Sequence, residues 1–314
     1  MARLIGADAS EVAFVANTSD GVSAVAQSLG WREGETVLVP RPDFPTNIYP
    51  WMHLERWGVR VRFYERREGR FDVSDVESAL VPGTRLLTVS SVDFASGFAC
   101  DLEALGAFCR EKGLLFFVDA IQGLGALPLD VRRCGIHFLA AGGHKWLLSA
   151  MGCGLLFVAK TAQDGLVPDR VGWRSVKDEM DFDALHLDLK PDATRFEAGS
   201  LNLPGITALG ASVGLLLEAG SDGIRERILA LNNRFCQGLE ERGLRVVTPM
   251  APGERSGILC FEPPGDPDAL WRFFAENRVS VSLRRGVIRL APHFYNHAGD
   301  VERFFRVLDR AGSR

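Results

Sequence analysis

The sequence predicts an α/β protein: a largely parallel sheet with helices on both faces, followed by a smaller α+β domain. Three observations carry that reading. From Glu11 to about Lys160, short apolar runs alternate with amphipathic stretches, and such strand–helix alternation builds parallel sheets. Leu114–Val118 is apolar throughout, as a strand buried on both faces must be. After a polar, aperiodic middle, shorter strand and helix signals resume. A chain of 314 residues has room for two domains, predicted at residues 1–220 and 221–314.

In chain order, the strands of the first domain are predicted at Val12–Ala16, Thr36–Val39, Val59–Phe63, Leu86–Ser91, Leu114–Val118, His137–Ala141 and Gly154–Ala159. Between them lie helices with readable ends: Asp101 can cap "LEALGAFCREK", and Gly113 stops it. Thr161–Gly199 is broken by Pro168 and Pro191 and reads as a long surface excursion. Gly205–Gly220 is a mostly apolar helix and Ser221–Gly243 an amphipathic one. The remainder alternates strands (Leu244–Thr248, Gly257–Phe261, Val279–Leu283, Val287–Leu290) with helices (Asp268–Asn277, Val301–Ala311).

Composition excludes several classes. Apolar content of 46% with 24% charged residues is that of a globular protein, and no repeat or low-complexity tract interrupts it. A net charge of −4 gives no electrostatic reason to expect nucleic acid or an anionic membrane as partner. The six cysteines are scattered without C-x-x-C or zinc-type spacing, so reduced thiols and no bound metal are expected. With no signal-like segment and no apolar run of about 18 residues, a cytoplasmic location is expected.

Ligands of parallel α/β sheets sit beyond the carboxyl ends of the strands, and three features fall there. The strand Val12–Ala16 turns through Asn17-Thr18-Ser19-Asp20-Gly21 into a helix, where hydroxyls and free amides suit a phosphate and equally suit ordinary capping. Asp119 follows Val118 directly, with Gln122 three residues on. A carboxylate at the end of a buried strand needs compensation from an ion pair, a helix cap or a ligand cation such as a protonated ring nitrogen. Third, a strand ends at Gly142-Gly143 and is followed by His144 and Lys145, flanked by Trp146 and Leu147. Partial desolvation there would lower the amine's pKa toward the nucleophilic free base. Pyridoxal phosphate has a phosphate, a ring nitrogen kept protonated and an aldehyde that condenses with lysine, and so explains all three together.

The segments "FVANTSDGVSAVA", "DFPTNIYPW", "SVDFASG", "VDAIQGLGALPLDV", "GGHKW", "RFEAGSLN" and "IRLAPHFYN" span nearly the whole chain in one order. Through them the sequence resembles the class V aminotransferase group of fold-type I pyridoxal-phosphate enzymes, which includes cysteine desulfurases, kynureninases and isopenicillin-N epimerase-like proteins. The resemblance implies a large domain with a mainly parallel seven-stranded sheet, the cofactor pyridoxal 5'-phosphate, a small amino-acid substrate and a homodimer. It further implies that Lys145 holds the cofactor as a Schiff base and moves the α-proton, that Asp119 pairs with the ring nitrogen, and that Gln122 approaches the ring oxygen. Thr18, Ser19 and His144 would hold the phosphate, and Phe44 would stack on the ring, where the residue type alone also fits a core position. Ser200 occupies the place that reaches across the dimer to the neighbour's phosphate. Arg289 matches the arginine that grips the substrate carboxylate, a role its planar guanidinium suits; a strand arginine paired with an acid is the other reading of the residue.

Departures from the family pattern narrow the chemistry. Cysteine desulfurases carry a reactive cysteine in a loop, whereas "SLRRGVIRL" leaves neither loop nor cysteine between Ser282 and Leu290. Persulfide chemistry needs a positioned thiolate, so desulfurase activity is disfavoured. Gly142 and Phe94 stand where the desulfurases have a serine and an asparagine, and "FPT" with Phe94 leans toward the kynureninases. Relatives have a substantial segment before the first strand, which this chain, with a first strand at Val12, is expected to lack. The expected function is therefore a pyridoxal-phosphate enzyme acting on a small α-amino acid, first of all by transamination. A kynureninase-like lyase, an epimerase and a cofactor-binding protein without turnover are the alternatives. A nicotinamide site is disfavoured: after Gly123-Leu-Gly125 and Gly152-Cys-Gly154, Pro128 and Phe157 stand where G-x-G-x-x-G needs its last glycine.

Overall fold

A computed structural model describes residues 1–183 and 185–312. Its centre is a sheet of seven strands, β1 (Val12–Val15), β2 (Thr36–Arg41), β3 (Arg60–Glu65), β4 (Thr84–Ser90), β5 (Leu115–Asp119), β6 (Phe138–Gly142) and β7 (Gly154–Val158). The spatial order is β1-β7-β6-β5-β4-β2-β3. The five strands from β6 to β3 run parallel, while β7 is antiparallel to both β6 and β1. The two reversals restore the direction of β1, so its carboxyl end lies at the same edge as those of β2, β4, β5 and β6.

Among the described residues, seven α-helices accompany these strands: α1 (Ala2–Ile5), α2 (Thr18–Ser28), α3 (Tyr49–Met52), α4 (Val73–Ser78), α5 (Leu102–Lys112), α6 (Lys160–Gln163) and α7 (Leu203–Ala219). The alternation of side chains along each strand divides the core in two. Phe116 and Val118 of β5 enter the core shared with α1, α4, α5 and α7, whereas Phe117 enters the core shared with α2 and α3. Asp119 and Gly142 follow Phe117 and Ala140 by two residues and so belong to the α2 side. The expected ends of α5 are present: Asp101 accepts the Ala104 amide at 3.0 Å, and Gly113 closes the helix at φ 66°.

The excursion after β7 is anchored rather than loose. Arg195, its side chain buried, donates to the carbonyls of Gln163 (3.2 Å) and Leu166 (3.3 Å), and Glu197 accepts the Phe14 amide at 2.9 Å on the open edge of β1. Polar groups left on a sheet edge need partners, and Glu197 supplies one.

The C-terminal part has its own core under a three-stranded antiparallel sheet, β8 (Leu259–Phe261), β9 (Ser282–Arg284) and β10 (Val287–Leu290), in the order β8-β10-β9. Three helices cover it: α8 (Ser221–Glu240), α9 (Pro267–Glu276) and α10 (Ala298–Gly312). Two sequence expectations fail here. Leu244–Thr248 forms only an isolated bridge, Val246 with Phe261, because the Cys260 amide donates to the Thr248 hydroxyl (2.8 Å) and the ladder stops there. The strand expected at Val279–Leu283 forms as Ser282–Arg284, since Val279 and Val281 turn into the helical core instead of pairing.

Candidate active site

Asp119 is 2% exposed, and Ile121 N–H donates to its Oδ1 at 3.0 Å. Burial pushes its carboxyl up to about 7; Ile121 N–H and the Lys145 charge oppose the rise, and Asp43 adds to it. Lys145 stands in the turn between β6 and β7. Burial lowers its amine, Asp119 holds it up, and Arg289 and Arg284 push it further down. Each group thus lies within the other's field. The Nζ of Lys145 is 5.7 Å from the ring centre of Phe44, which is 40% exposed and so is not a core residue. Phe44 meets Phe94 edge-on at 5.2 Å.

The lysine turn is clamped from behind. Trp146 is buried, donates Nε1 to Gln122 Oε1 at 3.3 Å, and offers its carbonyl to His293 Nε2 at 3.0 Å. His293 Nδ1 accepts the Phe294 amide at 2.8 Å, so Nε2 carries the proton and donates. Burial holds the His293 ring below the usual histidine range. A Cβ on Gly125, at φ +99°, would come within 2.3 Å of the Trp146 carbonyl, so glycine is required there. With Oε1 occupied, Gln122 has its amide N–H groups left to offer.

The amino end of α2 closes the other side. Asn17 is the cap, its Oδ1 accepting the Asp20 amide at 3.0 Å, so Thr18 and Ser19 occupy the first helical turn and not the preceding loop. First-turn amides have no intrahelical acceptor. The Thr18 hydroxyl accepts the Gly142 amide at 2.9 Å, joining α2 to the end of β6 and keeping its own proton to donate. Ser19 shares a 2.7 Å hydrogen bond with Thr46. The His144 ring lies against Gly142, where a Cβ would stand 3.1 Å from Nδ1; burial and then the Lys145 charge lower its pKa. Arg289 donates Nη1 to the Phe94 carbonyl at 2.7 Å, and its buried Nε has no hydrogen-bond partner among the described residues. The structure thus gathers Thr18, Ser19, Phe44, Asp119, Gln122, His144, Lys145 and Arg289 around the carboxyl edge of the sheet. Ser200 is exposed.

Sequence reasoning missed the support beneath Phe44. Asp43 is buried, accepting from Ser90 Oγ (2.8 Å), Asn47 Nδ2 (2.9 Å) and the Phe44 amide (2.7 Å). Arg66, its side chain also buried, lies between Asp43 (3.5 Å) and Asp93 (2.6 Å). Burial raises the Asp43 carboxyl, with Arg66 and the three donors opposing. One arginine therefore pins together the loops carrying Phe44 and Phe94.

These residues fit pyridoxal phosphate. A carboxyl raised by burial to about 7 suits a fixed cation, a desolvated amine suits a carbonyl, and free first-turn donors suit a phosphate. Fold and site define a pyridoxal-phosphate-dependent enzyme. The profile of the family "Aminotransferase class-V" matches residues 1–304, and the chain belongs to that family.

Its relatives carry different names. A probable cysteine desulfurase of Methanothermobacter thermautotrophicus is 36% identical over 334 positions, covering 98% of this chain and 81% of the relative. The uncharacterized aminotransferase YcbU of Bacillus subtilis is 31% identical over 295 positions, covering 94% and 77%. The apo structure of a cysteine desulfurase from Thermococcus onnurineus NA1 superposes with a TM-score of 0.91 at 27% identity, covering 99% of this chain and 81% of that one.

Proposed function

We propose that the protein is an aminotransferase acting on a small α-amino acid, with Lys145 as the base that moves the α-proton. One observation supports the choice of transamination: the wall beside Lys145 is the aromatic pair Phe44–Phe94, with the Phe44 ring 5.7 Å from the lysine Nζ. Epimerisation needs an acid on the face opposite the base, whereas transamination needs only one base. The desulfurase reading of relatives meets a chemical obstacle. All six thiols are buried, and burial raises each above its ordinary pKa, Cys100, Cys109 and Cys260 to about 12 and Cys134 to about 11. None is a positioned thiolate.

When bound, pyridoxal phosphate supplies an electron sink for the pair released at the substrate α-carbon. Arg289 binds the substrate carboxylate through its guanidinium. Lys145 Nζ takes the α-proton, and the lowering of its pKa by burial shifts the amine toward the free base. Asp119 holds the proton on the ring nitrogen, Gln122 donates to the ring oxygen, and Thr18, Ser19 and His144 donate to the phosphate. Phe44 covers the ring and excludes water. Ser200 and the exposed apolar side chains Met180, Phe182, Leu185 and Leu187 support a homodimer, since patches of this kind mark interaction surfaces.

Mixing purified holoenzyme with single amino acids and no acceptor tests this. The yellow protein is expected to bleach and release stoichiometric 2-oxo acid with its donor, and Lys145→Ala is expected to do neither. Turnover to a racemised amino acid, or to sulfide from cysteine, would overturn it.

A further inference from the structure

β9 and β10 form a tight hairpin in which Arg289 opposes Ser282 and Val287 opposes Arg284. Opposed and alternate residues share a face of a β-ribbon, so Arg284 and Arg289 project from the same side. The contact of Arg289 Nη2 with Ser282 Oγ at 3.5 Å follows from that register. Arg285 occupies the turn at φ 49°, and its guanidinium carbon lies 5.5 Å from the ring centre of Phe94. That ring touches Phe44, and the Phe94 carbonyl receives Arg289. Arg285 and Arg289 therefore border one aromatic wall of the site, and Arg284 projects from the same face of the hairpin as Arg289.

Their partners are neutral. Arg284 donates to the Leu283 carbonyl at 2.8 Å and Arg289 to a carbonyl and a hydroxyl. Elsewhere Arg66, Arg85, Arg132, Arg174 and Arg242 each meet a carboxylate. Among the described residues none lies within ion-pair distance of Arg284, Arg285 or Arg289. Like charges gathered without counter-charge repel one another, and an anionic ligand relieves that repulsion. The α-carboxylate assigned to Arg289 accounts for one anion.

We propose that Arg284 and Arg285 select a second acidic group, so that the substrate is a dicarboxylic α-amino acid with a short side chain and the matching 2-oxo acid. The inference rests on the Arg289 assignment made above. Arg284 also lowers the pKa of both Lys145 and Arg289, after burial, as a charge facing the same space would.

Dicarboxylates without an amine test the specificity apart from the reaction. Succinate and glutarate are titrated calorimetrically into the holoenzyme against butyrate and valerate, monocarboxylates of equal length. At least one dicarboxylate is expected to bind about tenfold more tightly than its counterpart, the value of one added charge-assisted pair. Arg284→Ala with Arg285→Ala is expected to erase that preference, and Arg289→Ala to weaken every acid. Both hairpin arginines are exposed, and unchanged melting of the double variant would verify that its fold is intact. Equal affinities in the parent, no binding of either dicarboxylate, or a preference surviving in the double variant would overturn the proposal. Because no amine is present, a failed transamination assay with an intact dicarboxylate preference removes only the reaction, and the converse removes only the specificity.

Discussion

Asp119 holds its proton where a solvated carboxyl would have released it. Between the ordinary value of 3.8 and about 7, the folded apoprotein carries a proton that the unfolded chain has lost. Stability contributed by the neutral form is therefore lost as pH rises through that window, by roughly 1.4 kcal/mol per pH unit. Asp119→Asn escapes this loss. In urea titrations of cofactor-free protein, its advantage over the parent is expected to grow by about 2–3 kcal/mol between about pH 5 and about pH 8. An unchanging difference would mean that the carboxyl is not desolvated. Added pyridoxal phosphate is expected to reverse the ranking, since the parent alone then gains an ion pair with the ring.

At the level of elements, Arg66 at the exit of β3 connects the loops after β2 and β4. Arg66→Met leaves Asp43 and Asp93 buried without a cation, and a loss of about 3–5 kcal/mol in chemical denaturation is expected. Adding Asp43→Asn and Asp93→Asn should restore much of it, because the stranded charges disappear. No improvement in the triple variant would show that packing and not charge is at stake. This cluster was illegible in the sequence. "YERREG" looks like a solvated charge run, and burial of its middle arginine depends on where two distant aspartates arrive. The seven sheet strands, by contrast, were legible to within a residue or two, because all but β3 are largely apolar runs of strand length and β3 alternates apolar with charged residues. Asp119 and Lys145 stood out for the same reason, as polar groups at the ends of such runs. The Trp146–Gln122–His293 clamp did not, since the hydrogen bond from His293 spans 147 residues and periodicity carries no information over that distance.

For the whole molecule, the exposed apolar side chains of the excursion are where the proposed homodimer is tested. Leu185 is 96% exposed, and Phe182 and Leu187 are exposed beside it. Sedimentation is expected to give twice the 34.4 kDa chain mass, with Phe182→Asp plus Leu187→Asp shifting the protein to monomer and weakening cofactor retention. A parent that sediments as a monomer would remove Ser200 from the site.

The seating of β1 beside β7, with Val12 opposite Phe157, has a consequence for biosynthesis. The strand β1 leaves the ribosome before the neighbour it needs, which is about 140 residues behind, a delay on the order of ten seconds at typical translation rates. Until then Thr18 and Ser19 have no β6–β7 turn to face. A nascent chain can therefore capture its cofactor only near the end of the large sheet's synthesis, and arrested chains ending before Gly154 should not retain it.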